Sequence, residues 1–572
     1  MNRNTFDFAS NPVSISISRS TFKRNSSVTT SFNVGEVVPF YVDEVLPGDT
    51  FNVKTHKLVR LQTPIAPFVT PMWMDTYYFF VPNRLVWKHW KEFQGENTES
   101  AWIPQTTYEV PQIKAPVGGW NVGTIADYMG IPTGVSDISV NALPFRAYAK
   151  VMDYFFRNQA LQDPFVIPDN ETLQTGSNGS NYVSDVANGG KPWIARRYND
   201  YFSQALPAPQ KGPSVTLPLF TGGTYPVVGN GNTLGFVGTP NAGSGTSTDF
   251  GLYYATNSAG TYTGMNTAAA GAAVGATVGA GTAPQPGKAV GVSTDASKSG
   301  LVAEVSGAVE GVTINELRAA FQLQKYYEQL ARSGSRYSEV LKAQFHVDAQ
   351  DYRLQNPEYL GGSHVSINVS QVVQNSATGS DTTPQGNTAA YSLTTDSHHD
   401  FVKSFVEHGF VIGVCVVRYE HSYQQGIERF WSRKKVTDFY IPVFANLGEQ
   451  AILNKEIYAQ GSTVVDGSGS PYDEQVFGYV PRWNEYRYKP NRITGEMRSS
   501  YQTSLDMWHL GDDYSQRPVL SDEWLREDKD TVDRVIAVSN RVSNQLFGDF
   551  YIENTTTRAM PLHSIPGLID HH

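Results

Sequence analysis

The sequence predicts a large, mostly β protein with helical insertions, and three observations carry that prediction. Glycine (50) and proline (32) punctuate a chain of 572 residues. Aromatic residues reach 12% while charged residues fall to 17%, well below the roughly 25% of an ordinary soluble chain. Several segments also alternate apolar and polar residues with period two, as half-buried strands do. A disordered chain lacks such aromatic content, and a helical bundle needs periodic runs rich in Ala, Leu, Glu and Lys. The length corresponds to roughly three or four average domains, and an apolar fraction of 40% is enough for a sizeable core.

Taken in order, Ser31 to Trp90 reads as strands. "VVPFYVDEV" is followed by "LPGDT" (Leu46 to Thr50), whose Pro-Gly-Asp chemistry predicts a turn. "FNVKTHKLVRLQ" (Phe51 to Gln62) puts Phe51, Val53, Val59 and Leu61 on one face and Asn52, Lys54, His56 and Arg60 on the other. "MDTYYFFVPN" (Met74 to Asn83) is an aromatic strand closed by proline.

Between Gly212 and Gly287 the only charged side chain is Asp249, and Gly, Thr, Ala, Ser and Asn dominate. A free linker is one reading; an exposed insertion that orders against copies of itself is the other. Tyr225, Phe236, Tyr253, Tyr254 and Tyr262 recur through it and favour the insertion. "TINELRAAFQLQKYYEQLARSG" then predicts a helix, with Thr313 and Glu316 at capping-box spacing and a stop at Gly334. "YSEVLKAQF" suggests a second, shorter helix, and the polar stretch Gln374 to Asp400 a loop. "FVIGVCVVRY" (Phe410 to Tyr419) is apolar on both alternations, as a strand covered on both faces requires. No repeat of 20–50 residues recurs.

Charge and cysteine narrow the function. With 44 basic against 54 acidic residues the net charge is −10, so the overall field repels nucleic acid, and any contact needs a local basic patch or a basic partner. The single Cys415 excludes an internal disulfide and reads as a buried small apolar residue. No segment has the continuous apolar core of a signal peptide, and Ala268 to Ala283 is too short and glycine-broken to span a bilayer. The chain is therefore expected to be soluble when made.

Catalytic signatures are absent: there is no P-loop, G-x-S-x-G elbow, H-E-x-x-H or strand-following G-x-G-x-x-G. His398–His399 precedes Asp400 in the predicted polar loop and makes a weak case for a metal. Asp512–Asp513 is the kind of neighbour pair that 54 acidic residues produce by chance. The expectation is no enzyme, no catalytic residue, no metal site and no cofactor, with a cation bridging subunits left open.

Three clusters combine cations with aromatics. Arg482 to Tyr501 carries Arg482, Arg487, Lys489, Arg492 and Arg498 among Trp483, Tyr486, Tyr488 and Tyr501; "RFWSRKK" (Arg429 to Lys435) and "RSTFKR" (Arg19 to Arg24) are the others. Cations neutralise phosphates while rings stack on unpaired bases, but Arg, Trp and Tyr are equally enriched at protein interfaces. Both readings stand.

The blocks "VVPFYVDEVLPGDTF", "YYFFVPNRLVWKHWKEFQGEN", "YLGGSHVSINVSQVVQ", "YQQGIERFWSRKK", "FANLGEQAILNKEIYA", "EYRYKPNRITGEMRSSYQTSLDMWHL" and "MPLHSIPGLIDHH" resemble the major capsid proteins of gokushoviruses. These are the small icosahedral single-stranded-DNA phages of the Microviridae. The likeness runs in order along nearly the whole chain outside the low-charge stretches. It implies an eight-stranded antiparallel jelly roll with large loop and helical insertions, and sixty copies assembled as a T=1 shell around circular single-stranded DNA. It further implies an internal scaffolding protein during assembly, a small basic DNA-packaging protein, a minor DNA-pilot capsid protein and a host surface receptor as partners. The location implied is the virion, assembled in a bacterial cytoplasm.

On this basis residues 1–30 are expected to form an arm, 31–211 and 312–572 the discontinuous core, 212–311 a protrusion at the threefold axis, and 374–400 a variable surface loop. The DNA-contact candidates are Arg482, Trp483, Arg487, Tyr488, Lys489 and Arg492. The subunit-interface candidates are Tyr77, Tyr78, Trp87, Trp90, Phe430 and Trp431, and the receptor or threefold candidates are Tyr253, Tyr254 and Tyr262. The alternative from another class is a glycan-binding or glycan-hydrolysing β-sandwich. A hydrolase would need two carboxylates across a cleft, and no pair stands out from background.

Overall fold

Nine strands pair as two antiparallel sheets in the computed structural model. It describes residues 18–96, 106–213, 314–333, 355–373 and 388–563, with residues 215 and 342–343 and four short strands between 224 and 304. The strands are β1 (Ser20–Lys23), β2 (Ser26–Phe32), β3 (Val38–Val45), β4 (Thr50–Leu61), β5 (Met72–Pro82), β6 (Glu358–Ser366), β7 (Thr394–Ser404), β8 (Gly409–Tyr419) and β9 (Leu546–Arg558). In one sheet β1 and β2 lie successively along one edge of β9, followed by β4 and β7; the other runs β6-β5-β8-β3. Counting β1 and β2 as one edge gives eight strand positions, four per sheet. The chain passes from sheet to sheet at nearly every connection, which is the jelly roll.

Period-two burial explains why these segments are strands. In β4, Phe51, Val53, Val59 and Leu61 face inward against Phe80, Val411, Cys415 and Phe550. The same alternation carries Lys57 inside. Its ammonium donates to Thr76 at 3.0 Å and to Ser363, and meets Asp396 at 3.2 Å, so the buried charge is matched within the sandwich. β8 is buried on both faces: Val411, Cys415 and Val417 enter the inter-sheet core, while Ile412, Val414 and Val416 enter a second core. Burial lifts the Cys415 thiol to about 12, so it behaves as a small apolar residue.

That second core is built by residues 83–195, which leave β5 and fold back over the outer face of its sheet. Trp87, Trp120, Phe145, Tyr148 and Trp193 are enclosed there. The helix α1 (Leu143–Val151) starts where Asn141 Oδ1 accepts from Leu143 N at 2.9 Å, with Pro144 in its first turn. Tyr148 then donates to Val37 O at 2.6 Å, tying the helix to the sheet. A third core gathers Tyr201, Phe202, Tyr423, Ile452, Ile457, Phe477 and Val480. Residues 420–545, which leave β8, supply most of it.

Residues 213–326 form a unit of their own. It contains the pair Thr224–Pro226 with Val302–Glu304 and a hairpin of Leu252–Ala255 with Tyr262–Met265, in which Tyr253 faces Gly264 and Ala255 faces Tyr262 across the ladder. The helix Ile314–Ser333 begins in this unit and ends in the other. Of the shorter helix expected at Tyr337 to Phe345, only 342–343 are described, as helical.

Two expectations are corrected. The arm expected over residues 1–30 is sheet from Ser20 onward, since the Ser/Thr/Val-rich run "SSVTTSF" pairs along β9 (residues 1–17 lie outside the described residues). The loop expected over 374–400 is strand over Thr388–Ser392 and along β7, with 374–387 outside the described residues. β7 lies at the end of its sheet with one face in water, so its solvated Ser, Asp and His residues mimic a loop composition. His399 Nε2 there donates to Asn52 Oδ1 (2.8 Å), while Asp400 turns inward and accepts from Thr55 (2.5 Å). Among the described residues no three His, Cys, Asp or Glu side chains converge as a metal site, and no helix is long and apolar enough to cross a membrane.

Candidate nucleic-acid and subunit interface

Two of the three cation–aromatic clusters, far apart in sequence, share one surface. The first, around Arg429–Ser432, is a chain of short 3-10 turns continuing through Val436–Asp438 and Pro442–Phe444. The second follows the strand Val476–Pro481 and enters the turn Asn484–Tyr486. Arg433 joins them: its guanidinium meets Glu485 at 3.1 Å and lies over the rings of Tyr486 (4.5 Å) and Phe439 (5.5 Å). Tyr440 packs edge-on to Trp483 at 5.6 Å.

Trp483 is the hinge of this arrangement. It is buried with φ 68°, a left-handed backbone that bulky residues rarely adopt. Its indole donates to Phe444 O at 2.9 Å and its backbone N–H to Gln450 Oε1 at 3.2 Å, and these bonds hold the conformation. Arg482 is half-buried, with its guanidinium 5.0 Å from the Trp483 ring. Of the DNA-contact candidates, therefore, Trp483 and Arg482 serve the local packing, whereas Arg487, Tyr488, Lys489 and Arg492 are exposed on one turn. Lys489 (3.7 Å) and Arg492 (3.0 Å) share the single carboxylate of Glu428.

Beside this turn lies a crevice of about 420 Å³, lined by Trp73, Tyr198, His364, Tyr488 and Lys489 among others. Trp73 and His364 stack with ring centroids 4.4 Å apart. His364 also reaches Asp75 at 2.5 Å, and Arg418 pairs with the same carboxylate. Burial alone would raise the Asp75 pKa, but Arg418 and His364 hold it below the usual carboxylate range.

Beneath the surface sits an ion cluster that sequence reasoning missed. His421 Nδ1 contacts Asp512 at 2.7 Å, His421 Nε2 lies 3.3 Å from Glu527, and Arg197 reaches Asp512 at 2.9 Å. All four are buried. Burial and Arg197 push the imidazole pKa down, yet Asp512 and Glu527 outweigh them and raise it to about 9. Burial opposes ionisation of Asp512 too, but His421 and Arg197 keep it far below the usual carboxylate range. Asp512, dismissed in sequence as half of a chance pair, is a structural counter-ion. Its charged partners, His421 and Arg197, lie far from it along the chain, so no local pattern signals them.

The remaining candidates divide by burial. Tyr78 and Trp87 are fully enclosed in the first and second cores. As interface candidates they are corrected: a ring with no exposed surface has none left for a neighbouring subunit. Tyr77 and Trp90 pack half-buried against the second core. Phe430 and Trp431 are exposed by 43% and 72%. Tyr253, Tyr254 and Tyr262 lie on the hairpin of the separate unit, and their side chains are outside the described set. The third cluster is spent locally, with Arg24 held by both oxygens of Asp43 at 2.6 Å and Arg19 donating to Gly48 O.

A family model described as capsid protein (F protein) matches residues 10–568. Capsid protein VP1 of Chlamydia phage 1 is 40% identical, covering 96% of this chain and 96% of its own length. Capsid protein VP1 of Spiroplasma virus 4 is 41% identical, covering 94% and 93%. Capsid protein VP1 of Bdellovibrio phage phiMH2K is 37% identical, covering 98% of each.

Proposed function

The chain belongs to the F-protein family of phage capsid proteins, and from that premise we propose that sixty copies close into a T=1 icosahedral shell around circular single-stranded DNA. It is a structural protein of the virion, not an enzyme, and the sugar-active alternative gives way. In the proposed shell the exposed turn carrying Arg487, Tyr488, Lys489 and Arg492 faces the genome. The insertion of residues 212–311 stands outward at the threefold axis, where Tyr253, Tyr254 and Tyr262 meet a neighbouring copy or the host receptor.

The observation that carries the DNA contact is the exposed basic turn beside an aromatic crevice, in a chain whose net charge is −10. A single strand is held where cations track its phosphates and rings take its bases, and a crevice of about 420 Å³ accommodates an unstacked base. The low charge of residues 212–287 supports the threefold placement, because three copies meeting at an axis would otherwise stack like charges. The acidic balance supports the small basic partner, which would supply most of the phosphate neutralisation. The scaffolding and pilot proteins complete the proposed set.

Arg487→Glu with Arg492→Glu tests the genome-facing turn. Particles of the double variant should sediment as shells of normal size with a reduced DNA content. Normal DNA content overturns the assignment, as does loss of assembly itself, which would make the turn a subunit contact.

A further inference from the structure

Next to the cationic turn lies a ridge with a different chemistry. Phe430, Trp431, Val436, Phe439, Tyr440 and Val443 follow one another along three 3-10 turns, and each exposes between 43% and 85% of its surface. Single exposed apolar residues need no explanation, but a contiguous patch of this kind marks a surface that another molecule covers. The ridge is also rigid. Phe430 and Trp431 pack ring to ring at 4.8 Å, Tyr440 rests on Trp483 (5.6 Å) and Tyr486 (6.1 Å), and Trp483 bonds Phe444 O. Rings held in place lose little freedom on binding, which is what a hot spot requires.

The arginines of the ridge are paired, Arg429 with Glu456 at 3.0 Å and Arg433 with Glu485 at 3.1 Å, while the side chains of Lys434 and Lys435 are exposed at its rim. The centre of the ridge therefore offers bare rings over paired arginines, with its remaining positive charge at the edge. This composition fits the centre of a protein interface, depleted in free charge and rich in aromatics.

Resting on the capsid reading, we infer that the ridge is a subunit contact that seats on a second copy of this chain. Charge complementarity selects that partner. Segments 428–447 and 482–501 carry nine Lys and Arg against four Asp and Glu, leaving 35 against 50 for the rest of the chain. Outside these segments the chain carries net negative charge, so a neighbouring copy that meets the ridge with a different face brings the charge that its basic rim favours. Such a contact is heterologous, and a heterologous contact repeated around an axis closes a ring.

The test is the double variant Phe430→Ala with Trp431→Ala, co-expressed with the small phage proteins beside the unaltered chain. Particle yield should fall by at least about tenfold, as loss of hot-spot rings implies. The protomer should keep its thermal midpoint and its salt-dependent binding to a thymidine oligonucleotide. Wild-type particle yield overturns the inference. So does a variant that assembles normally but loses oligonucleotide binding, which would make the ridge a nucleic-acid surface. If the unaltered chain forms no particles, the shell reading fails separately. The ridge is then read by sedimentation at rising concentration, where the unaltered chain should associate and the variant should not; equal behaviour overturns it.

Discussion

Two long excursions leave the same four-stranded sheet, residues 83–195 after β5 and residues 420–545 after β8, and they dispose of their aromatic rings in opposite ways. The first folds onto the sheet and encloses Trp87, Trp120, Phe145, Tyr148 and Trp193. The second encloses Tyr423, Phe477, Trp483 and a buried ion cluster but leaves Trp431, Phe439, Tyr440 and Tyr486 exposed. The first excursion completes the protomer. The second carries rings that none of the other described residues covers, and the proposed subunit contact would bury them. On the proposed reading the same chemistry, aromatic burial, serves folding in one excursion and association in the other.

The comparison can be broken by removing a ring from each side. Trp193, 1% exposed and packed against Tyr182 (4.8 Å) and Phe165 (5.3 Å), belongs to the first excursion. Trp193→Ala should cost about 3–5 kcal/mol of protomer stability through lost burial and a cavity, measured as a lower denaturant midpoint.

The ion cluster sharpens the comparison through pH. The folded-state pKa of His421 is raised to about 9 from an ordinary 6.5. The stability it contributes is therefore complete below about pH 6.5 and is lost as pH rises through about 9. Roughly 3 kcal/mol is at stake across that window. Denaturant midpoints of the wild type should fall over it more steeply than those of His421→Gln, and parallel curves would remove the cluster as a support of the second excursion.

The smallest expected effect is on the ridge. Phe430→Ala with Trp431→Ala should shift protomer stability by no more than about 1 kcal/mol, since both rings are exposed. A loss comparable to that of Trp193→Ala would mean the ridge packs within the protomer and would erase the contrast.

How much of this was legible follows from where each signal lives. β8 announced itself because apolar residues on both alternations have only one placement, between two layers. The alternation of β4 was equally plain, yet it carried Lys57 inward, because register binds a charged residue as firmly as an apolar one. The Ser/Thr-rich β2 and β7 escaped because solvated strand faces and loops share a composition. The two cation–aromatic clusters were visible singly. What no local pattern reveals is that Glu485 joins them, that Glu428 serves Lys489 and Arg492, or that Arg197, His421, Asp512 and Glu527 meet. Aromatic content likewise names Tyr78 and Trp87 as sticky without saying which side of the protomer surface they occupy; the fold puts both inside.

The most direct measurement is electron microscopy with sedimentation on the chain expressed with its small phage partners. Uniform closed shells of sixty copies, with the ridge covered by a neighbouring subunit and residues 212–311 standing outward at threefold axes, are the predicted result. Monomers or free trimers under every condition, or shells in which Phe430 and Trp431 remain bare, would contradict the account.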